Sequence, residues 1–514
     1  VIVIGAGIGG LCASIDLALK GCAVTVIEKG AAVGGKMREV RAGPHAIDAG
    51  PTVLTLKSVF EALFERAGDQ LARHLTLTSQ DILARHAWEH GGELDLFADR
   101  QASADAIGGF AGAEAARGYV ALSREAANVY RILENTFIHA PKPNLPQLIW
   151  RVGPHRLADQ WSINPYESFW SAVCRHFKDE RLRQMFARYA TYCGSSPFSA
   201  PATLLLVAHV EQLGVSIVEG GMHALARALQ GLAERLGVTF RFGEAVRDVV
   251  HDGNGTCGVR LEPDEFVGAA HVVVATDPAS IAYSPKAAGV ATSLPKRQRS
   301  LSAMTLAIAG TASGFSLVRH NVFFPDSSYR DEFRAIFKRG QLPDKPVVYV
   351  CAQDRDDNGL RTSHQGPERF LCVINAPTED DACVLGEGEI ERCERMANRL
   401  LTRCGLTVQA TYPRVLTLPR DLAQIAAGTA GAIYGRASHG WMASFRRQGS
   451  RSRIPGLYFA GGSTHPGPGV PMAAISGRLA AEALWSDYAL SKTFRPTVMP
   501  GGMPMPSATT AVTD

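Results

Sequence analysis

The chain opens Val1-Ile2-Val3-Ile4-Gly5-Ala6-Gly7-Ile8-Gly9-Gly10-Leu11 and, past Gly21, continues Ala23-Val24-Thr25-Val26-Ile27-Glu28. The β-branched run at the start predicts a buried strand. Gly5, Gly7 and Gly10 fit G-x-G-x-x-G, a helical stretch follows to about Lys20, and a second strand ends in Glu28. Each part has a task in holding a dinucleotide. Gly5 makes the tight turn, Gly7 lets a pyrophosphate approach the backbone, and Gly10 lets helix and strand close on each other. The helix N-terminus offers free N–H groups to the phosphate. Glu28 stands where an acidic residue accepts from a ribose hydroxyl. A glycine triplet alone would be weak evidence, but the whole strand–turn–helix–strand–Glu unit is strong.

Around this unit lie 514 residues, enough for about three domains at roughly 150 residues each, or for two large interwoven ones. With 46% hydrophobic and 20% charged residues, extended disorder, collagen and small disulfide-stapled scaffolds are excluded. Fifty-one glycines exceed ordinary usage and point to backbone close approaches. The formal charge of +4 (53 basic less 49 acidic residues) gives no nucleic-acid footprint. None of the ten cysteines forms a C-x-x-C pair, so no metal site is expected, and buried free thiols in a reducing cytosol are. The first 21 residues lack a basic leading segment and carry Asp16, which argues against a signal peptide. Since Val1 stands inside a strand, a few residues are expected to precede it. No run approaches the roughly 18 apolar residues of a membrane span, so a soluble or peripheral protein is expected.

The glycine logic returns late in the chain. Ser216-Ile217-Val218-Glu219-Gly220-Gly221-Met222 leads into a helix with apolar Leu225, Ala228, Leu229 and Leu232. Val238 to Phe242 and Ala245 to Val250 read as paired strands, and Val272-Val273-Val274-Ala275-Thr276 as a buried one. The run Leu457-Tyr458-Phe459-Ala460-Gly461-Gly462-Ser463-Thr464-His465-Pro466-Gly467-Pro468-Gly469-Val470-Pro471-Met472 reads as strand, double glycine, loop and a helix from about Pro471 to Leu484. A second helix N-terminus beside the first would stabilise negative charge.

Several segments carry a family resemblance. Glu28 followed by Gly34-Gly35-Lys36-Met37 resembles the segment after the second strand in FAD-containing amine oxidases and carotenoid desaturases. Asp48-Ala49-Gly50-Pro51-Thr52, the loop from Gly461 to Met472, and Tyr189 to Ala202 resemble bacterial phytoene-desaturase-type carotenoid desaturases. Gly435-Arg436-Ala437-Ser438-His439-Gly440-Trp441 resembles the branch acting on 1-hydroxylated or 1-methoxylated acyclic carotenoids, the hydroxyneurosporene desaturases. Val470-Pro471-Met472 departs from the phytoene enzymes, where a small residue tends to follow the proline, which puts phytoene itself in doubt as substrate.

The resemblance spans residues 1 to about 488 and implies an α/β protein: a Rossmann-like FAD-binding domain of the amine oxidase and GDP-dissociation-inhibitor type, with an inserted α+β substrate domain. The FAD domain is expected from 1–85, 216–299 and 425–490, the substrate domain from 86–215 and 300–424, and a disordered tail over 491–514. Beyond Gly5, Gly7, Gly10 and Glu28, the resemblance assigns cofactor contacts to Gly34, Gly35, Lys36, Met37, Gly50, Pro51, Thr52, Val246 and Ala275, with Lys36 offsetting phosphate charge and Val246 at the adenine. Gly461 and Gly462 fall to the pyrophosphate, and Gly469, Val470, Pro471 and Met472 to the flavin ring.

It further implies a C-3,4 desaturation by hydride transfer to flavin and proton loss, reoxidation by oxygen or a quinone, and a cytoplasmic protein held peripherally at the inner membrane. Pro141 to Trp161 mixes Pro, Trp, Leu, Arg and Lys as a lipid entrance would. No catalytic base is assigned: His465 reads first as structural, and His439 as a loop residue able to reach a substrate hydroxyl. A flavin amine or porphyrinogen oxidase and a non-catalytic prenyl-lipid escort protein remain as alternatives.

Overall fold

In the computed structural model, which describes residues 1–156, 163–252, 254–281, 294–362, 366–380 and 384–493, five parallel strands form the sheet to which the first glycine turn belongs. Their spatial order is Thr239–Phe242, Thr25–Glu28, Ile2–Ile4, Val272–Val274 and Leu457–Phe459. Counted along the chain this is 3-2-1-4-5, the doubly wound order whose winding reverses between the first and fourth strands. Ligands bind outside the carboxyl ends of the strands at such a reversal, and both glycine turns leave the sheet there. Val3, Val26, Val273 and Phe459 are fully buried, as a sheet covered on both faces requires.

Helix Ile8–Leu19 packs between helix Met222–Arg235 and the long C-terminal helix Val470–Thr493, sealing one face with Leu11, Ile15, Leu225, Leu229 and Leu484. On the other face Ile2, Ile4, Ile27 and Leu457 meet Val249, Val259 and Leu261 of a three-stranded antiparallel sheet. This corrects the expectation that Val238–Phe242 and Ala245–Val250 pair with each other. Strand Thr239–Phe242 runs parallel to Thr25–Glu28, and Val246–His251 pairs with Thr256–Leu261. Gly243, at φ +73°, turns the chain out of the first sheet, and its N–H and that of Glu244 bond back to Gly30 and Glu28.

The second large sheet has eight strands: in order Leu406–Ala410, Ser302–Gly314, Glu368–Ala376, Val348–Ala352, His320–Phe324, Ile82–Trp88 and Glu93–Phe97, with Val415–Thr417 also on Ser302–Gly314. All pairs are antiparallel except His320–Phe324 with Ile82–Trp88. Helix Glu387–Arg403 contributes Cys393, Leu400 and Leu401 to its core. A helical layer including Ala113–Leu133, Phe169–His176 and Glu180–Ala187 packs through Tyr119, Phe169, Phe177 and Phe186. The expected boundary at 85/86 falls inside Ile82–Trp88, which joins this sheet as one strand, so the sheet begins at Ile82. The C-terminal helix runs past the expected Leu484 to Thr493; the rest of the expected tail, 494–514, lies outside the described residues.

Candidate active site: two glycine turns above an apolar cavity

The two glycine turns touch. A Cβ on Gly9 would stand 2.7 Å from the Gly461 Cα, and one on Gly10 would stand 2.0 Å from the Gly5 carbonyl oxygen and 3.1 Å from the Ala275 Cβ. Ala275 continues the fourth strand, its N–H on the Ile4 carbonyl, and the Ala460 N–H meets the Val274 carbonyl. The C-terminal helix closes on the first through Gly477, where a Cβ would lie 2.3 Å from the Gly9 carbonyl oxygen. Gly461 is fixed by Ser476 Oγ on its N–H and Thr464 Oγ1 on its carbonyl.

Gly7 and Gly462 are different. A Cβ on either would meet nothing within 4 Å, and Gly7 has an ordinary φ of −71°. Protein contacts therefore do not demand glycine at these two positions, one on each turn, and the room they leave suits a bound group. Gly7 also caps its helix with no side chain, and neither this helix nor Val470–Thr493 has an acidic residue in its first turn. Both helix N-termini are left for an anion. The residues present thus fit a flavin dinucleotide.

Glu28 ends the second strand with its carboxylate held by two N–H donors, Ala6 at 2.7 Å and Gly30 at 2.8 Å. The Gly34 N–H bonds the Ala6 carbonyl, and Gly35 lies against Gly7. Buried Met37 closes the turn through its N–H on the Gly34 carbonyl. Gly50 passes so close to Lys36 that a Cβ would sit 2.0 Å from its carbonyl oxygen. Asp48 caps helix Met222–Arg235 with bonds from the Met222 and His223 N–H groups, and burial raises its pKa. Val246 packs on the core around Ile27, just after the turn bonded to Glu28.

The Lys36 ammonium is buried, donates to the Ile433 carbonyl and has its pKa lowered by burial, with Asp277 opposing. Below the second turn Arg447 donates to the carbonyls of Tyr434 (2.9 Å) and Arg436 (2.7 Å), its pKa drawn down to about 10 by burial. Neither cation has an ion pair among the described residues, and the Asp277 carboxylate acts on both from a distance.

A cavity of about 730 Å³ begins at these segments, lined there by Gly50, Pro51, Thr52 and by Gly467 to Met472. Its walls are mostly apolar, with Leu133, Phe137, Leu204, Val207, Val322 and Ile433 among them, and it reaches Ile149, Tyr166 and Trp441 at the surface. The resemblance segments Tyr189 to Ala202 and Gly435 to Trp441 supply Thr191, Tyr192, Cys193, Ser438 and Trp441 to the wall.

His465 is not on that wall. It is buried, with Nε2 donating to the Ala140 carbonyl at 2.9 Å, the Phe137 ring edge-on at 4.7 Å, and a pKa held down at about 4 by burial. His439 Nε2 accepts the Ser196 N–H at 2.9 Å, and burial keeps this ring neutral too, with a pKa of about 4. Both histidines tie loops together. Sequence reasoning missed Arg188, His320 and Tyr349 on the cavity wall, and Gly9 and Gly477 between the helices. Only the Gly9-Gly10 doublet carried any signal of this, because the others act through residues far away in the chain.

The family model for flavin containing amine oxidoreductase matches residues 8–485. Among curated relatives, hydroxyneurosporene desaturase of Rubrivivax gelatinosus is 46% identical over 99% of this chain and 98% of its own length. The protein of the same name from Cereibacter sphaeroides is 40% identical over 95% and 98%. Among solved structures, putrescine oxidase bound to putrescine superposes with a TM-score of 0.57 at 15% identity, covering 94% of this chain and 98% of that one, a likeness of fold.

Proposed function

The chain belongs to the flavin containing amine oxidoreductase family and to the same branch as the hydroxyneurosporene desaturases, and from that premise we propose an FAD-dependent carotenoid desaturase. Its reaction is the introduction of a C-3,4 double bond into an acyclic 1-hydroxylated or 1-methoxylated carotenoid such as 1-hydroxyneurosporene. The observation that carries this reading is the apolar cavity that runs from Gly50–Thr52 and Gly467–Met472 to the surface, large enough for a long ligand at about 730 Å³. Support for FAD among flavins comes from the dinucleotide turn at Gly5, Gly7 and Gly10 with Glu28 behind it.

Desaturation takes a hydride and a proton from adjacent carbons, and the flavin, when bound, supplies the hydride acceptor. Positive charge beside a conjugated chain is delocalised, so the protein needs no strong base. Its tasks are to align the chain and exclude water, and walls such as Leu133, Phe137, Leu204 and Val322 do both. Charged groups on the wall include Arg188, Arg447 and Glu211, the last with its pKa raised by burial. That balance disfavours an ammonium substrate and so the amine-oxidase reading.

The cavity mouth supports peripheral attachment to the inner membrane. Ile149 and the ring pair Tyr166 (75% exposed) and Trp441 line it, and 76% exposed Trp150 and Arg151 follow Ile149 on the same helix. No described helix is long and apolar enough to cross a membrane. A substrate dissolved in the bilayer would enter here without crossing water, with oxygen or a quinone as final electron acceptor.

Expression in cells that accumulate 1-hydroxyneurosporene, followed by product chromatography, tests the reading. A product with a chromophore longer by one double bond is expected; an unchanged substrate pool beside folded yellow protein would reject it.

A further inference from the structure

Within the apolar cavity one wall is polar. Arg188 lines it, and among the described residues its guanidinium has one hydrogen-bond acceptor, the Tyr192 hydroxyl at 2.8 Å, and no ion pair. It lies over the Tyr192 and Tyr349 rings at 5.2 and 5.4 Å. A guanidinium has five N–H donors, so most of this one's capacity is unspent in a place where unmet polar groups are costly.

Beside it runs a hydrogen-bonded chain: Thr52 Oγ1 to the Tyr349 hydroxyl (2.7 Å), Tyr349 to His320 Nδ1 (2.7 Å), and His320 Nε2 to Gln80 Oε1 (3.0 Å). His320 is buried, and burial with the Arg319 and Arg188 charges holds its pKa at about 3, so the ring is neutral and has one N–H. With that N–H on Gln80, Tyr349 donates to Nδ1, Thr52 donates to Tyr349, and the Thr52 lone pairs face the cavity. If the Gln80 amide is turned over, every donor reverses and the Thr52 O–H faces the cavity instead. In both senses Thr52 keeps a free hydrogen-bonding position.

We propose that Arg188 with the Thr52–Tyr349 pair holds the oxygen on C1 of the substrate and so determines specificity for oxygenated over unsubstituted acyclic carotenoids. The inference rests on the desaturase reading above. Its position agrees with the chemistry: only C2 separates C1 from C3, so whatever reads the oxygen must lie close to the hydride acceptor. Thr52 lines the cavity directly after Gly50 and Pro51, in the segment expected at the cofactor. Arg188 is a substrate-binding residue, donating to the oxygen lone pair, and Tyr349 is the positioning residue that orients Thr52.

The test compares purified holoenzyme with Arg188→Met, Arg188→Lys and Tyr349→Phe on a 1-hydroxylated carotenoid and its unsubstituted counterpart, with flavin absorbance recorded for each. Wild type should favour the hydroxylated chain in kcat/KM. Arg188→Met should cut that ratio tenfold or more, Arg188→Lys should restore part of it, and Tyr349→Phe should cut it about tenfold, the worth of one hydrogen bond of roughly 1.4 kcal/mol. Equal losses on both substrates, or a ratio of one in the wild type, overturn the inference while leaving the desaturase reading intact. A flavin-loaded wild type that turns over neither carotenoid overturns the reading itself.

Discussion

Gly477→Ala tests whether the two helices at the cofactor turns are locked by backbone contact. The new methyl would lie 2.3 Å from the Gly9 carbonyl oxygen, 2.9 Å from the Ala13 nitrogen and 3.1 Å from the Cys12 Cβ. Two of these neighbours are backbone of a buried helix, so no side chain can swing aside. Reaching an ordinary separation of 3.4 Å requires the helices to part by about 1 Å, and overpacking of this kind costs about 1–3 kcal/mol. Alanine returns up to about 1 kcal/mol of helix propensity, leaving a net loss of about 0–3 kcal/mol in stability.

The functional effect should be larger than the stability effect, because the same shift moves Gly9 against Gly461 and misaligns the two helix N-termini. A matched control is Gly231→Ala on helix Met222–Arg235, where the methyl meets nothing nearer than an Arg235 nitrogen at 3.7 Å. That variant should gain up to about 1 kcal/mol. Denaturant unfolding with flavin content by absorbance gives both readings. Gly477→Ala matching Gly231→Ala in stability and flavin content would refute the backbone lock.

Gly7→Ala and Gly10→Ala should separate cofactor binding from folding: the first leaves the fold stable and lowers flavin content, since its methyl enters the open space, while the second yields little folded protein because its methyl would lie 2.0 Å from the Gly5 oxygen. Melting curves and absorbance check both. Burial raises the Glu332 pKa to about 7 from an ordinary 4.5, so its favourable contribution is complete below pH about 4.5 and is lost as pH rises through about 7. Glu332→Gln should therefore gain up to about 3 kcal/mol relative to wild type between pH 5 and pH 8.5, measured by denaturant unfolding at each pH. Replacing exposed Trp150 and Tyr166 with Glu should leave the melting temperature unchanged but weaken sedimentation with anionic liposomes severalfold; undiminished sedimentation would place the membrane contact elsewhere.

The two glycine turns were legible because their residues act on the backbone that carries them. Gly5, Gly34, Gly461 and Gly469 all adopt positive φ, a demand written in the residue type itself. Strand pairing was less legible. Val238–Phe242 and Ala245–Val250 were both recognisable as strands, but adjacency in sequence suggested a hairpin, whereas each finds its partner elsewhere, on Thr25–Glu28 and on Thr256–Leu261. His465, read first as structural, is held by the Ala140 carbonyl, and the Nε2 of His439, read as a loop residue able to reach a substrate hydroxyl, is taken by the Ser196 N–H.

A doubly wound sheet entered through one glycine turn and rejoined through another could be read from the residues alone, and with the family segments a flavin-dependent reaction on a polyene. Those conclusions rest on local chemistry: φ at a glycine, free N–H groups at a helix start, a carboxylate at a strand end. The lining of the cavity could be read from the folded chain alone. Thr52 ends a family segment, but Arg188, His320 and Tyr349 belong to none, and the four are scattered over almost 300 residues. Folding brings them to one wall of a mostly apolar cavity, where a polar group without a partner is costly.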